Sequence, residues 1–323
     1  MPSKYSLISI VVPFLNESQS LPILYNELEE VRKIHELDLE YIFVDDGSVD
    51  NSFEKLADLS KGNKCCKILQ LRRNFGKSKA LYFGMLHSKG DILVTMDADL
   101  QDNPEDIVKL IEKLQEGYDL VGGWKKVRRD PATKTFPSLV FNWIVRSTTG
   151  TNFHDINCGL KVYKRWVIDN VTFRGEHHRF PMVLAASMGA QVTEVPVNHR
   201  PRKYGRSKFG FERFICGFLD LISVLLLTKY FERPLHFFAK PGLLLFSIGS
   251  CIFSVLLGEH IVYLFTGIAK FQLVNRPLLI VATILIIAGI QIISVGLTLE
   301  YVLTLKGRNN SEAAFIKKKI HID

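Results

Sequence analysis

The sequence predicts an α/β domain built on a mostly parallel sheet, followed by helices that lie on and cross a membrane. Short apolar runs alternate with helical segments through the first 212 residues, whereas residues 214–305 are strongly apolar. Strands of four to six residues that alternate with helices are typical of a parallel sheet covered on both faces. In addition, polar clusters follow three of the apolar runs, where ligands bind in such sheets.

Four short apolar runs predict the first strands of the sheet. They span 7–12, 40–44, 67–71 and 91–96, and Pro13 is expected to close the first of them. Helical patterns lie between these runs at 21–35, 52–60 and 77–88, with Gly90 at a C-cap position after the third. The carboxyl ends of the strands are therefore expected to meet at one edge of the sheet.

Three polar clusters follow the first, second and fourth runs: Asn16 with Glu17, the turn at 45–48, and Asp97 with Asp99. The first two could simply cap a helix or form a tight turn. In the third cluster a single residue separates two carboxylates. Close carboxylates repel each other, and a hard cation with oxygen ligands relieves that repulsion. The three clusters together therefore indicate a site that uses a divalent cation.

Two common phosphate-binding signatures are absent from the sequence. Gly76, Lys77 and Ser78 match the end of a Walker A motif, but Leu71 stands where the motif requires glycine. The first predicted strand is not followed by a GxGxxG sequence either. Phosphate is therefore expected to be bound by another arrangement.

The formal charge of +8 is compatible with nucleic acid, an anionic membrane or phosphorylated substrates. Basic residues are concentrated at 200–213 and 306–319, on both sides of the apolar region, as is typical of cytoplasmic membrane flanks. We find no interleaved aromatic and basic pattern that would indicate nucleic-acid binding. The five cysteines lack disulfide or metal-ligand spacing, and the first apolar run is too short for a signal peptide. We expect reduced thiols in a cytosol-facing protein.

Five motifs resemble those of family 2 glycosyltransferases with the GT-A fold. They are VPFLNE at 12–17, VDDGS at 44–48, RNFGK at 73–77, DADLQ at 97–101 and GRSK at 205–208. Within that family they are most similar to the polyisoprenyl-phosphate glycosyltransferases, which include bactoprenol glucosyltransferases and dolichyl-phosphate mannose synthases. The resemblance covers residues 5–212, and the apolar tail is similar to the membrane-anchored bacterial branch. It implies a Rossmann-like, mostly parallel catalytic domain.

For the donor, the resemblance implies nucleoside contacts in the first two motifs. The residues concerned are Pro13, Asn16, Glu17 and Asp46. Asp46 is expected to read the edge of the base, and Lys77 is expected near the nucleotide or its phosphates.

For the reaction centre, the resemblance implies that Asp97 and Asp99 hold Mg²⁺ or Mn²⁺ against the diphosphate, with Asp99 as the direct ligand. Gln101 is expected to approach the donor sugar. Asp155 belongs to a segment similar to the family's second acidic motif, whose aspartate is a general base in many inverting enzymes. A lipid phosphate is already an anion at neutral pH, so we expect Asp155 to position the acceptor or contact the donor instead.

Other polar segments of the domain leave alternatives open. The basic stretch at 124–137 is either a solvated loop or a lid that orders over phosphate, and 136–145 is either a core helix or a contact for the acceptor lipid. The cluster at 176–179 fits a polar helix start or a sugar contact better than a metal site. Within the basic run that begins at Arg200, the predicted phosphate-binding residues are Arg202, Ser207 and Lys208, with a solvated run as the alternative.

The apolar region predicts one interfacial helix and two membrane spans. Residues 214–227 are too short and too polar to span, whereas spans are expected at about 235–258 and 278–303. The chain then divides into the α/β domain at 1–212, an interfacial amphipathic region at 213–233, a two-helix transmembrane region at 234–305, and a basic cytoplasmic tail at 306–323.

A repeat of small residues marks the second span. Ala282, Gly289 and Gly296 recur every seven residues, either as ordinary membrane-helix composition or as a stripe for close helix contact. The family resemblance, in which assembly through membrane helices is found, favours a homo-oligomer, with a tetramer expected.

Together these features predict inverting transfer of a hexose from a nucleotide sugar to polyisoprenyl phosphate. From the resemblance, UDP-glucose and undecaprenyl phosphate are the expected substrates, and GDP-mannose is the alternative donor, because no residue pattern distinguishes uracil from guanine. A catalytically inactive membrane scaffold is the alternative of another class. The resemblance implies a multi-pass protein of the inner membrane with its catalytic domain on the cytoplasmic face.

Overall fold

The computed structural model describes residues 7–126, 145–147, 152–171, 179–201, 203–204, 234–267 and 276–306. The chain divides into two compact units, Met1–Val224 and Leu225–Asp323. The predicted interfacial helix, the GRSK motif and most of the predicted lid lie outside the described residues, as do Arg202, Ser207 and Lys208.

The first unit is built on a seven-stranded sheet with the order β3-β2-β1-β4-β6-β5-β7. Its strands are β1 Ile8–Phe14, β2 Leu39–Asp45, β3 Cys66–Gln70, β4 Ile92–Thr95, β5 Leu120–Trp124, β6 Lys161–Lys164 and β7 Val192–Pro196. All neighbouring pairs are parallel except the two that involve β6, which runs antiparallel to β4 and β5. The prediction of a mostly parallel sheet is confirmed.

The direction of β6 decides which residues share an edge of the sheet. Thr95 at the carboxyl end of β4 lies opposite Lys161 at the amino end of β6. The segment that leads into β6 therefore meets the carboxyl ends of β1, β2 and β4 at a single edge. This is the edge at which parallel sheets bind ligands.

Helices cover both faces of the sheet. They are α1 Leu21–Ile34, α2 Ser52–Leu59, α3 Lys77–Leu86, α4 Asp106–Gln115, α5 Arg165–Asn170 and α6 Pro181–Ser187. In α1 the buried residues Leu21, Leu24, Leu28 and Val31 recur every three or four positions, which is the period of one helix face. The predicted strands and helices agree with the observed ones to within two residues at each end.

Two residues do not have the boundary roles predicted for them: Pro13 does not end β1, and Gly90 is not the C-cap of α3. Pro13 lies inside β1 and pairs with Val44 of β2. On the other side of β1, pairing with β4 ends at Val11. Pro13 has no N–H to donate, and none is needed there because β4 no longer pairs at that position. Helix α3 ends at Leu86, before Gly90, whose N–H donates to Ser9 Oγ at 2.7 Å in a contact with β1.

The second unit contains two long helices, α7 Pro234–Thr266 and α8 Pro277–Lys306. Both are long and apolar enough to cross a membrane, and only 17% and 11% of their most apolar windows are buried. A helix in a soluble core would bury such a surface, whereas a lipid-facing helix leaves it exposed. The first helix extends beyond the predicted end at 258, and the second covers the whole of the predicted span.

The small residues of α8 form the contact between these two helices. A Cβ added to Gly289 would lie 2.7 Å from the main-chain oxygen of Gly242, and one added to Gly249 would lie 2.8 Å from the main-chain oxygen of Ala282. Gly296 in turn lies against the start of α7. Of the two readings of the stripe, close helix contact is the one observed, and its partner among the described residues is a helix of the same chain.

Replacing Gly289 by leucine is expected to destabilise this helix pair. The new side chain would meet backbone atoms of α7 at 2.7 Å, so the helices must separate, and overpacking of this kind costs about 1–3 kcal/mol. Thermal unfolding of the purified protein in detergent would show a lower midpoint than for the wild type. Gly258→Leu is the control, because no atom lies within 4 Å of a Cβ there. Equal midpoints for the two variants would contradict the packing described.

Candidate active site

The two predicted metal ligands lie directly beyond the carboxyl end of β4. Leu100 adopts a left-handed backbone conformation with φ of 62°, which turns the chain sharply after Asp99. Asp99 Oδ1 accepts a hydrogen bond from the Gln101 N–H at 3.2 Å. Both carboxylates are partly exposed, so an ion and a substrate can reach this turn.

Lys77, the first residue of α3, forms an ion pair with Asp97 through Oδ1. Partial burial by itself would raise the pKa of the Asp97 carboxyl. The ammonium group of Lys77 outweighs that effect and, with further contributions from Lys125 and Lys161, lowers this pKa to about 2. Asp97 is therefore an anion throughout the neutral range.

The segment before β6 forms a wall beside Asp97. Thr95 Oγ1 donates a hydrogen bond to the main-chain oxygen of Gly159 at 2.9 Å, which holds this segment against β4. A Cβ added to Gly159 would lie 2.6 Å from Asp97 Oδ2. Only glycine at this position leaves room for the carboxylate where it stands.

The turn after β1, which carries the predicted nucleoside residues Asn16 and Glu17, is hydrogen-bonded to the segment after β2. The Asn16 N–H donates to Ser48 Oγ at 2.9 Å, and Asn16 Oδ1 accepts the Val49 N–H at 2.8 Å. The Glu17 N–H donates to Ser52 Oγ at 2.8 Å. The turn after Pro13 and the turn after β2 therefore form one continuous surface at the ligand-binding edge.

Asp46 connects this surface to the loop that precedes Lys77. Its carboxylate is buried and accepts the N–H groups of Phe75 at 2.8 Å and Gly76 at 2.9 Å. Burial raises the pKa of Asp46 above its usual value, although both N–H groups favour the ionised form. Lys77 directly follows Gly76, so one loop provides both the N–H groups that bind Asp46 and the ammonium group that pairs with Asp97.

Asp155 lies at the same edge but is buried. Its N–H donates to Glu194 Oε1 at 2.9 Å, and its Oδ2 accepts the Lys125 N–H at 3.4 Å. The adjacent His154 stacks on Trp124 with ring centroids 4.3 Å apart. Both the N–H and the carboxylate of Asp155 therefore have protein partners at this edge, and the role of Asp155 stays a prediction.

Two lysines of the site were not singled out by the sequence interpretation: Lys161, which is buried, and Lys125, which is partly buried and belongs to the predicted loop or lid at 124–137. Lys125 lies 3.0 Å from Asp102 Oδ1, and although burial opposes the charged form, this carboxylate raises the pKa of Lys125. Lys161 is 3% exposed, donates to the main-chain oxygen of Cys158, and has its pKa lowered by burial. The strand reads Lys-Val-Tyr-Lys, so the sequence did not distinguish the buried Lys161 from the more exposed Lys164 at the other end of the strand.

The start of the basic run is anchored to the acidic loop. The Arg200 N–H donates to the main-chain oxygen of Gln101 at 2.8 Å, and its guanidinium contacts both carboxylate oxygens of Glu27 at 2.8 and 2.9 Å. Arg200 Nη2 also donates to Asn103 Oδ1 at 2.7 Å. Arg200 is therefore held by protein groups, and the basic run begins beside the loop that carries Gln101.

The acidic turn fits a divalent cation that is shared with a phosphorylated ligand. Within the described ranges, no three His, Cys, Asp or Glu side chains are grouped so that they could enclose an ion. Mg²⁺ is typically held by one or two carboxylates together with substrate phosphates, so Asp97 and Asp99 suit this arrangement. Such an ion would neutralise negative charge on a departing diphosphate.

A mostly parallel sheet with charged groups at the carboxyl ends of its strands defines an α/β protein that binds ligands at this edge. The chain belongs to glycosyl transferase family 2, whose model matches residues 9–172, and it is a glycosyltransferase. Its sequence is 32% identical to dodecaprenyl-phosphate galacturonate synthase of Rhizobium johnstonii over 98% of this chain and 93% of that protein. It is 34% identical to undecaprenyl-phosphate 4-deoxy-4-formamido-L-arabinose transferase of Enterobacter sp. over 91% of this chain and 88% of that protein.

Solved structures share the fold of the first unit. The glucosyl-3-phosphoglycerate synthase of Mycobacterium tuberculosis, solved with Mn²⁺, UDP-glucose and phosphoglyceric acid, superposes with a TM-score of 0.54. The match covers 69% of this chain and 79% of that chain at 18% identity. At this identity the likeness concerns the fold, and it agrees with the predicted GT-A architecture.

Proposed function

We propose that the protein transfers a sugar from a nucleotide sugar to a polyprenyl phosphate. The observation that carries this proposal is the pair of carboxylates, Asp97 and Asp99, beside the Lys77 ammonium at the ligand-binding edge. The relatives named for dodecaprenyl-phosphate and undecaprenyl-phosphate align over 98% and 91% of this chain. That alignment supports a lipid-linked acceptor rather than a soluble one.

The proposed reaction is a single displacement with inversion. An oxygen of the lipid phosphate attacks the anomeric carbon of the donor, and the bond from that carbon to the diphosphate oxygen breaks. The lipid phosphate is already ionised, so no base has to remove a proton. Asp97 and Asp99 would hold Mg²⁺ or Mn²⁺, which would stabilise the charge that develops on the leaving nucleoside diphosphate.

The remaining residues of the site would bind and orient the two substrates. Asn16, Glu17 and Asp46, with Pro13 at the strand end, would hold the nucleoside, and Lys77 would contact the diphosphate. Gln101 would face the donor sugar, and Asp155 would position the acceptor or the sugar. Beyond the described residues, Arg202, Ser207 and Lys208 would bind the lipid phosphate.

UDP-glucose is the donor we propose to test first, with GDP-mannose as the alternative. The similar proteins are named for galacturonate and for 4-deoxy-4-formamido-L-arabinose, so nucleotide derivatives of both sugars belong in the same panel. We further propose a multi-pass protein of the inner membrane with the site on the cytoplasmic face, assembled as a homo-oligomer. The intact carboxylate pair disfavours an inactive scaffold.

The test is transfer by the purified full-length protein. The protein is incubated with Mg²⁺, undecaprenyl phosphate and each radiolabelled nucleotide sugar in turn, and the lipid fraction is extracted and counted. We expect one donor to label the lipid in a reaction that EDTA abolishes. Labelling with a donor other than UDP-glucose would replace the proposed sugar and keep the reaction. Failure of every donor to label lipid would overturn the proposed function.

A further inference from the structure

We propose that Lys77 is a displaceable counter-ion of Asp97, so that the divalent cation and the donor nucleotide bind cooperatively to this site. The proposal rests on the proposed function for the identity of the ligands, but its test measures binding alone. In this role Lys77 is a positioning residue. Its ammonium group pairs with a predicted metal ligand, Asp97, until a diphosphate binds the ammonium group instead.

The Lys77 ammonium group already occupies one oxygen of the Asp97 carboxylate, and the other oxygen faces the main chain at Gly159. Oδ1 is paired with the Lys77 ammonium, and Oδ2 lies against the wall formed by Gly159, where even a methyl group would come within 2.6 Å. An ion that approaches Oδ1 must therefore take the place of the ammonium group. Asp99 then remains as the other carboxylate of the turn, and a single carboxylate binds Mg²⁺ or Mn²⁺ weakly without further oxygen ligands.

The charges around the turn oppose a divalent cation that arrives alone. Lys77 is paired with Asp97, and Lys125, which is itself paired with Asp102, also lies near enough to favour the ionised form of Asp97, so their ammonium groups repel an incoming ion. A diphosphate supplies the missing negative charge and additional oxygen ligands at once.

The geometry of the loop allows Lys77 to change partners. Its side chain is 34% exposed and stands at the first position of α3, where a flexible stem can swing without moving the helix. Asp46 holds the two preceding residues through their N–H groups at 2.8 and 2.9 Å. The loop at the predicted base contact therefore also sets the position from which the ammonium reaches either Asp97 or a diphosphate.

The experiment measures Mn²⁺ binding to the full-length protein by the electron paramagnetic resonance signal of free Mn²⁺. Each variant is titrated without nucleotide, with UDP and with GDP. For the wild type we expect weak Mn²⁺ binding that the preferred nucleotide tightens by at least about tenfold, within the usual range of coupling between two ligands. Lys77→Met should bind Mn²⁺ alone about tenfold more tightly and should show a correspondingly smaller effect of nucleotide.

Matched variants separate the charge of Lys77 from its shape and from general effects on the domain. Lys77→Arg keeps the positive charge and should resemble the wild type, whereas Lys77→Gln should resemble Lys77→Met. Lys79→Met removes an exposed lysine of the same helix that contacts the Phe75 ring rather than Asp97, and should leave Mn²⁺ binding unchanged. Circular dichroism melting confirms that each variant is folded, and two neutral variants keep the test decisive if one of them unfolds.

Mn²⁺ affinity of Lys77→Met and Lys77→Gln equal to that of the wild type without nucleotide would overturn the proposal. The proposal would also be overturned if Lys79→Met gained as much Mn²⁺ affinity as Lys77→Met. Loss of any positive charge on this helix would then explain the result. Neither outcome depends on sugar transfer. A protein that labels no lipid could still show the exchange of partners, and an active transferase could lack it.

Discussion

Replacement of Asp99 by alanine is expected to reduce lipid labelling by about 10³-fold or more at saturating Mg²⁺. Asp99 is the predicted direct ligand of the metal ion, and it lies on a turn of the chain directly beyond β4. A metal ion that stabilises a leaving group contributes several kcal/mol, and each 1.36 kcal/mol corresponds to about a factor of ten in rate. The measurement is the initial rate of transfer with the donor that the wild type prefers.

The variant should remain folded, because Asp99 is partly exposed and takes no part in the buried core. Its melting temperature is expected to match that of the wild type. Asp58→Ala, which removes an exposed carboxylate from α2, is the control and should retain full activity. Wild-type rates in Asp99→Ala at limiting Mg²⁺ would remove this residue from the site.

Replacement of Gly159 by alanine is expected to lower the transfer rate by about 10²-fold through Asp97. The added methyl group would lie 2.6 Å from Asp97 Oδ2 and 2.9 Å from Oδ1, so the carboxylate must move. A displacement of about 1 Å in a group that orients the reaction can cost about 10²-fold. The same assay measures the rate, and Mn²⁺ binding in the presence of nucleotide reports whether the metal site has shifted.

Gly258→Ala is the control for this substitution, since the same methyl group there meets no atom within 4 Å. It should have wild-type activity and unchanged Mn²⁺ affinity. If Gly159→Ala is folded and as active as the wild type, then Asp97 tolerates displacement and its predicted part in metal binding is wrong.

Much of the α/β unit could be predicted because its signals are local. Apolar runs predict the strands, and the spacing of Leu21, Leu24 and Leu28 predicts the buried face of α1. Both patterns involve residues close together in sequence, because burial of apolar side chains follows the local period of each element. The polar clusters were located at the carboxyl ends of β1, β2 and β4 for the same reason. The site residues themselves stay a prediction until the variants are assayed.

The sequence was misleading or incomplete where a residue's role depends on a distant partner. Pro13 was expected to end β1, but whether a strand tolerates proline depends on where its neighbour stops pairing, which is a property of β4. The stripe at Ala282, Gly289 and Gly296 correctly indicated close helix contact, yet a repeat on one helix does not specify the helix that it meets.

The acidic turn at Asp97 and Asp99 and the two apolar helices were therefore evident from the chain alone, because composition and spacing define a strand end and a membrane span. Only the tertiary structure revealed what surrounds the turn. Because β6 is antiparallel to β4, Gly159 and Lys161 lie beside Asp97. The first residue of α3, Lys77, pairs with the same carboxylate. Such contacts join residues far apart in sequence, and they are decided by which strands pair and in which direction.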